Sequence, residues 1–370
     1  MSNQSLESLF NYTPHEIQQW LKERGHPAYR AKQLLQWIYQ RRAASFDEMT
    51  DLSKPLRDEL QGAFSITVPP VRARQEDSAD GTVKCLFELR DGECVEAVLM
   101  PRYGDGAKTD PRTGAVKNRK KIKTQGYTTC ITTQVGCMFA CRFCASGQMG
   151  LKRNMTADEI IAQVMAFHRS EPSLSRIVFM GTGEPLHNYD HLKRAIDILT
   201  DPSGPGFSPR RITVSTVGLA PEIYRMAKEG WKVKLAVSLH ATTDAKRAEI
   251  IPLARSYQLD QLKDAILYYQ RSNGRRISLE YLMLGGVNDS RKDAERLLRF
   301  CEGFLCHVTL IPYNAVSKSE FRSSSQERMQ LFKDCLRRGK IDATVRYSRG
   351  RNIDAACGQL RLRHEREQAA

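Results

Sequence analysis

Nowhere in these 370 residues do eighteen apolar side chains run together, so the sequence offers no segment able to cross a bilayer as a helix. Met1 to Phe10 is polar and lacks the apolar stretch of a secretory leader. No low-complexity segment is present. Acidic residues are outnumbered, 42 against 57 Lys and Arg, giving a net charge of +15. The first two absences point to the cytoplasm. The charge points to a polyanionic partner, because clustered Lys and Arg release the counterions condensed on phosphates. Ten cysteines in a cytosolic chain do not read as a disulfide framework; clustered ones there mean metal or redox chemistry.

What is there divides into unlike stretches. At 41% hydrophobic the chain can build a sizeable core, and its length suits one large domain with an appendage. Residues 1–66 read as helical. Thr13-Pro-His-Glu16 has the form of a capping box with proline at the first helical position, followed by Ile17, Trp20 and Leu21. A second helical pattern runs through Ala31, Leu34, Leu35, Ile38 and Tyr39. Residues 67–101 switch to alternation, as in Thr82–Leu89 and Cys94–Met100 around Gly92, which predicts a small β-hairpin. Residues 102–126 form a basic inserted loop rich in Gly, Lys and Arg, ending near Lys117-Asn-Arg-Lys-Lys-Ile-Lys123. It reads as a solvated insertion or as a phosphate-contacting arm.

From residue 127 to about 350 short apolar strands alternate with helices. The strand candidates are Tyr127–Thr132, Arg176–Met180, Arg211–Ser215, Lys232–Ser238, Ile277–Met283 and His307–Ile311. The helix over Thr156–His168 opens on the capping pair Thr156 and Glu159. This alternation predicts an α/β class fold, a parallel, barrel-like sheet of six strand–helix units. A further strand, Ala343–Tyr347, leads into the tail 351–370.

Cys137, Cys141 and Cys144 follow the first of these strands with C-x3-C-x2-C spacing. Three close thiolates can hold three irons of a [4Fe–4S] cluster and leave the fourth open to a ligand. Zinc would need a fourth protein ligand to close a tetrahedral site, for which Cys130 stands near in sequence. With Phe143 before its last cysteine, the motif resembles the cluster loop of the radical S-adenosylmethionine (SAM) superfamily. The resemblance implies a partial (β/α)6 barrel and a SAM bound through its amino and carboxylate groups to the open iron. It also implies one-electron cleavage of that SAM to a 5′-deoxyadenosyl radical. Gly181-Thr-Gly-Glu-Pro185, read alone a plain turn, resembles the superfamily segment that holds the SAM amino group. Strand ends carrying Ser215, Ser238-Leu239-His240 and Ile311-Pro-Tyr-Asn314 put further polar groups at the rim where barrels of this kind bind ligands. The cofactor-binding set is then Gly183, Glu184, Ser215, Ser238, Leu239, His240 and Asn314, with Cys137, Cys141 and Cys144 on the metal.

A finer resemblance covers nearly the whole chain and is to the radical SAM adenine methyltransferases of ribosomal and transfer RNA. It runs through Pro27–Gln33, Phe46–Thr50, Val95–Pro101, Arg153-Asn154, Gly183–Leu186, Ser238–Ala241, Ile311–Asn314 and Asn352–Leu360. It explains why one cysteine, Cys357, stands thirteen residues from the end of the chain. By resemblance Cys357 is methylated by one SAM, and a radical from a second SAM removes a hydrogen from that S-methyl group. The carbon then adds to adenine, and Cys130 resolves the covalent adduct by forming a disulfide with Cys357. Glu96 matches the group that hydrogen-bonds and handles protons at the adenine amidine. The 1–66 unit matches an RNA-contacting accessory domain, with Arg24, Arg30, Lys32, Arg41 and Arg42 as phosphate contacts or as a solvated face. The resemblance implies methylation at adenine C2 in 23S rRNA, in the peptidyl-transferase region, and in tRNA 3′ of the anticodon. It also implies two SAM per turnover and an external reductant such as flavodoxin. The alternatives are the C8-methylating relatives linked to antibiotic resistance and a non-catalytic metal-holding RNA binder. Nothing in the sequence calls for more than a monomer. Two departures stand out. Thr182 replaces a bulkier residue at what reads as a turn, and the 102–126 insertion lies in sequence between Glu96 and Cys130, which would bring it to the RNA beside them.

Overall fold

At the first capping box the Thr13 N–H donates to Glu16 at 2.7 Å and the Glu16 N–H donates back to Thr13 at 3.2 Å. The computed structural model describes residues 6–104, 110, 115–116, 124–315, 319–350, 352–353 and 359–361. That box starts α1 (Pro14–Glu23), which is followed by α2 (Tyr29–Leu35) and α3 (Lys54–Ala63). The periodicity that extends to Tyr39 is carried past α2 by a π-turn over Gln36–Gln40. Strands β1 (Glu7–Ser8) and β2 (Phe64–Ser65) pair in parallel, so the two ends of this helical unit meet.

A ten-stranded sheet forms the rest of the frame, in the order β14-β13-β12-β11-β10-β9-β6-β5-β4-β3. Its antiparallel part is β3 (Val71–Glu76), β4 (Val83–Glu88) and β5 (Cys94–Tyr103). The alternation in 67–101 therefore forms three strands, and they continue the barrel sheet because β5 pairs with β6 (Thr124–Cys130). Beyond β6 the strands run parallel: β9 (Leu174–Phe179), β10 (Ile212–Thr216), β11 (Lys234–Ser238), β12 (Ile277–Met283), β13 (Cys306–Pro312) and β14 (Ala343–Val345). Each of the six strand candidates lies here, and Ala343–Val345 joins as a seventh parallel strand. The sheet stays open, with β14 and β3 as its edges, as a partial barrel requires.

Helices cover the outer face: α4 (Ala157–Ser170), α5 (Tyr189–Thr200), α6 (Ala220–Lys228), α7 (Asp244–Ile250), α8 (Leu259–Asn273), α9 (Arg291–Cys301) and α10 (Gln326–Arg338). The capping pair Thr156 and Glu159 opens α4, whose Ile160, Ile161, Val164 and Met165 are fully buried. Each such side chain contributes about 1.5–3 kcal/mol of burial. One hydrophobic cluster runs from Leu9 of the helical unit to Ala343 of the last strand. Arg169 of α4 ties the two parts by donating to the Ala43 and Ile66 carbonyls at 2.7 and 2.9 Å. Among the described residues no helix is long and apolar enough to cross a membrane.

The insertion after Pro101 does not go where sequence order suggested. Val98 pairs with Cys130, whereas Tyr103 pairs with Thr124. Because β5 and β6 are antiparallel, the insertion leaves and rejoins the sheet at the strand-N-terminal end of the parallel strands. Six residues of β6 separate that end from Cys130, roughly 20 Å at strand rise. Most of the insertion, including Lys117–Lys123, lies outside the described residues.

Candidate functional site

The cysteine loop is clamped at its base. Strands β7 (Gln134–Gly136) and β8 (Leu151–Asn154) pair antiparallel around it, and the Cys137 N–H donates to the Gly150 carbonyl at 2.8 Å. Gly136 has φ +87°, and a Cβ there would stand 1.9 Å from the Gly150 oxygen, so only glycine closes this clamp. The three thiols line one pocket of about 150 Å3 together with Gly183, Glu184, Ser215 and Ser238. Burial pushes the Cys137 thiol up to about 11 and Cys141 well above its ordinary value, with the neighbouring thiols adding to both shifts. A metal must therefore displace protons to bind.

Among the described residues no three His, Cys, Asp or Glu side chains converge on a point where one ion would sit. A cubane cluster does not ask for that, since each thiolate takes a different iron. Cys130 ends β6 on the wall of a second cavity, of about 330 Å3, which Cys144 also lines. The donor set thus fits three cysteines on a cluster beside an open ligand pocket. It does not fit the four-cysteine zinc site.

Glu184 is held from two strands. One carboxylate oxygen accepts the Leu186 N–H at 3.1 Å and the other accepts the Val217 N–H beyond β10 at 2.7 Å. The side chain is buried, which pushes its carboxyl up to about 7. Its lone pairs are not exhausted by two N–H bonds, so an ammonium can still be accepted. Gly183, at φ +101°, would place a Cβ 2.6 Å from Gln134. Gln134 in turn accepts the Glu184 N–H at 2.7 Å and donates to Asn154 at 2.7 Å. Thr182 is not on a surface turn: it is buried, with its N–H on Thr132 at 3.1 Å. We expect Glu184→Gln to weaken SAM binding about 10- to 100-fold, the scale of one charged hydrogen bond. Equilibrium dialysis with the cluster-loaded protein checks this; unchanged affinity would remove Glu184 from the SAM site.

The remaining strand ends converge as expected, with differences in kind. Ser215 donates to the Phe179 carbonyl at 2.7 Å and lines both cavities, as does Ser238. Asn314 faces the larger cavity and donates to Ser348 at 2.5 Å. Leu239 is fully buried and contributes backbone only: its N–H donates to the Glu280 carbonyl at 3.0 Å. His240 has φ +58°, a costly conformation for a side-chain-bearing residue. Its Nδ1 accepts the Leu282 N–H at 3.0 Å, and burial, with Arg247 adding, lowers its pKa to about 3. The imidazole is therefore neutral with its proton on Nε2, as a fixed donor.

Sequence reasoning missed the pieces that fix these ends. Arg247 is completely buried and donates to the Val217 carbonyl at 2.5 Å and the Leu239 carbonyl at 3.2 Å, joining the ends of β10 and β11. Gln134 and Arg247 sit in polar-looking stretches, and only their neighbours in space give them these tasks.

Glu96 is buried, not solvent-facing. Its carboxylate meets Lys84 at 2.9 Å, with the two side chains 4% and 2% exposed, and it also accepts the Arg361 N–H at 2.8 Å. The larger cavity is lined at β5 by Val98 and Met100, and Glu96 is outside its lining. Cys357 lies outside the described residues, but the chain on either side of it is anchored. Gly350 donates to Asp80 at 2.9 Å and Asn352 to Asp77 at 2.8 Å, while Arg361 reaches Glu93 at 2.9 Å. These anchors lie in the β3–β4 and β4–β5 connections of the antiparallel part of the sheet, whose strand β5 pairs with the Cys130 strand β6.

A model of the radical SAM superfamily matches residues 131–301, and one of the ribosomal RNA large subunit methyltransferase N-terminal domain matches residues 7–66. Over 366 residues the chain is 40% identical to a probable dual-specificity RNA methyltransferase RlmN of Bacillus cytotoxicus, covering 98% of this chain and 95% of that one. The RlmN proteins of Bacillus cereus and Bacillus thuringiensis match at the same 40% identity and coverage. This chain belongs to the RlmN family. A radical SAM methyltransferase from Sphaerobacter thermophilus has the same fold, with a TM-score of 0.84 at 42% identity over 95% of this chain and 98% of that one. Family membership makes the chain a SAM-dependent RNA methyltransferase using radical chemistry, with a [4Fe–4S] cluster and SAM as cofactors. In this RlmN-family chain the phosphate contacts expected on the helical unit are partly engaged within it. Arg24 and Arg41 lie over the Trp20 and Trp37 rings at 3.9 and 4.2 Å and pair with Glu59 and Asp51.

Proposed function

We propose that the chain methylates C2 of adenine in RNA, with Cys357 as methyl carrier and Cys130 as resolving thiol. Its substrates are an adenosine in the peptidyl-transferase region of 23S rRNA and the adenosine 3′ of the anticodon in tRNA, in keeping with the dual specificity named for its Bacillus relatives. The observation that carries this reading is the common wall: Cys130, the cluster-loop residue Cys144, and the rim residues Ser215, Ser238, His240 and Asn314 line one cavity. The chain is anchored on both sides of Cys357, through Asn352 to Asp77 in the β3–β4 connection and through Arg361 to Glu96 of β5, the strand paired with β6.

Cys137, Cys141 and Cys144 would hold the cluster, and Gly183, Glu184, Ser215, Ser238, Leu239, His240 and Asn314 the SAM. Together these groups supply a methyl donor and hydrogen-atom abstraction, using two SAM per turnover and electrons from a reductant such as flavodoxin. The amidine carbon of adenine is electrophilic, so a polar methyl transfer cannot reach it, whereas a carbon radical carried on Cys357 can add there. The adduct would then give up the C2 proton and one electron, the electron returning to the cluster, to restore the aromatic ring. A covalent protein–RNA intermediate then divides the step. The Cys130 thiolate attacks the Cys357 sulfur, the carbon–sulfur bond breaks toward carbon, a proton completes the methyl group, and a Cys130–Cys357 disulfide remains. Glu96 is the proton-handling group in this reading, its charge balanced by Lys84 and its second oxygen on the Arg361 N–H. The chain acts as a monomer in the cytoplasm.

The test is RNA from cells lacking the gene, complemented with the wild-type chain, digested and compared with methyladenosine standards by mass spectrometry. Restored 2-methyladenosine in both rRNA and tRNA is the expected result. Restored 8-methyladenosine would move the chain to the C8 chemistry, and a signal confined to one RNA would remove the dual specificity.

A further inference from the structure

The barrel has a second mouth, at the end opposite the cluster. A cavity of about 890 Å3 opens among the N-terminal ends of β9, β10, β11, β12 and β13. Its rim carries Arg176, Arg210, Lys234, Arg275 and Arg276, with Arg346 deeper in. Against these six cations the lining holds a single carboxylate, Glu280, which sits in mid-barrel and also lines the catalytic cavity. Asp342, beside the mouth, is committed to Arg276 and His307, each at 3.0 Å. Among the described residues Arg176, Arg210, Lys234 and Arg275 form no ion pair. Acidic partners neutralise other arginines on this surface, as Asp91 and Glu159 do for Arg153 and Asp190 and Glu229 for Arg225. The rim instead gathers these four cations in one place, with no such partner among the described residues.

Concentrating like charge costs free energy unless a counter-charge is supplied. Lys234 registers that cost: burial lowers its pKa, and Arg176, Arg275 and Arg276 lower it further. Arg102, at the root of the 102–126 insertion, is lowered in the same way, first by burial and then by Arg176 and Arg211. A fold that gathers cations here from five different strands and loops leaves the compensating charge to a ligand. The bottom face of such a barrel contains none of the proposed reacting groups, so catalysis does not account for the charge.

We propose that this strand-N-terminal mouth is a second RNA-binding surface, gripping the sugar–phosphate backbone of the substrate away from the adenosine being modified. The proposal rests on the chain's being an RNA methyltransferase and not on the carbon it methylates. Guanidinium groups suit phosphate because they offer paired donors in a planar fork. Along β9, Arg176 at the mouth stands two residues, about 7 Å of strand, from Val178, the register partner of Cys130, and the mouth opens away from the cluster end of the barrel. A stem-loop whose tip enters the catalytic cavity cannot also lie against the opposite end of the sheet. Only an RNA with a body beyond that stem can reach both, so the surface favours large folded RNA over an isolated hairpin.

The experiment compares wild type, the triple variant Arg176→Gln/Arg210→Gln/Arg275→Gln, and the charge-preserving triple Arg→Lys variant. Each is purified with its cluster, and binding is measured by filter retention from 50 to 200 mM salt. One probe is a large 23S rRNA domain containing the target adenosine, and the other is the short hairpin carrying that adenosine alone. Losing three phosphate contacts should flatten the salt slope for the large RNA by about 2–3, so that raising salt over this range costs the variant about thirtyfold less affinity than wild type. Hairpin binding should be unchanged, and the lysine variant should recover the slope. An unchanged slope for the Gln variant overturns the proposal, and so does an equal loss on both RNAs, because that places the contact at the catalytic mouth or reflects general damage. A third arm adds sodium tripolyphosphate and follows the melting temperature. Stabilisation of wild type but not of the Gln variant, with the RNA slope unmoved, would assign the mouth to a free polyphosphate and end the RNA assignment.

Discussion

Cys130→Ala is expected to stop the reaction with RNA still joined to the protein. The alanine leaves cluster, SAM pocket and methyl carrier in place, so the steps before resolution proceed and the covalent adduct accumulates. Turnover should fall by at least about 10³-fold, the scale on which loss of an attacking group acts in covalent catalysis. The adduct appears on a denaturing gel as protein retarded by RNA and sensitive to ribonuclease. The wild-type thiol sets a pH dependence for the same step. Burial pushes Cys130 up to about 11, against a smaller opposing effect of Arg346. Only roughly one part in 10⁴ is thiolate at pH 7, and that fraction rises tenfold per unit until the thiol titrates. Adduct resolution in wild type should therefore accelerate about tenfold per pH unit from 7 to 10. Cys130→Ala turning over at the wild-type rate, with no adduct, would leave Cys130 without this role.

Lys84→Met should destabilise the protein by about 3–5 kcal/mol, because it strands a buried carboxylate without its partner. Lys84 and Glu96 are 2% and 4% exposed, so water cannot take over the charge. The double variant Lys84→Met/Glu96→Gln should recover much of the loss, since a buried pair replaced by neutral groups costs far less than a pair broken on one side. Urea unfolding of the cluster-loaded proteins measures both. Arg291→Ala is the contrasting control: its pair with Glu295 is exposed, and such pairs contribute well under 1 kcal/mol. A loss at Lys84 no larger than at Arg291 would mean that the pair is not buried in solution.

Much of the scaffold was legible in the sequence because its signals are local. The capping pairs Thr13/Glu16 and Thr156/Glu159 are read within four residues, and both form. The apolar strands from Arg176 to Ile311 are bounded by their own turns, and each joins the parallel sheet in order. The C-x3-C-x2-C spacing likewise needs no tertiary knowledge, and the three thiols meet in one pocket.

What sequence could not give depends on pairing across the fold. Lys84 stands in an alternating strand where a lysine normally faces water; its partner Glu96 and the Arg361 backbone come from elsewhere in the chain. The position of the 102–126 insertion is another such case: sequence order places it between Glu96 and Cys130, whereas antiparallel pairing of β5 and β6 returns both its ends to the opposite end of the strands. The basic mouth follows from the same limitation: its cations come from separate strands and loops, tens of residues apart, and only the pairing and curl of the parallel strands brings them together.

The most direct measurement of the proposed chemistry is where the methyl group sits before RNA arrives. The cluster-loaded protein is incubated with methyl-labelled SAM and reductant, without RNA, then digested and mapped by mass spectrometry, and the remainder is chased with unlabelled SAM and substrate RNA. Label on the Cys357 peptide before RNA, passing into 2-methyladenosine during the chase, is the expected result. Label reaching RNA while the Cys357 peptide never carries it would contradict the methyl-carrier mechanism.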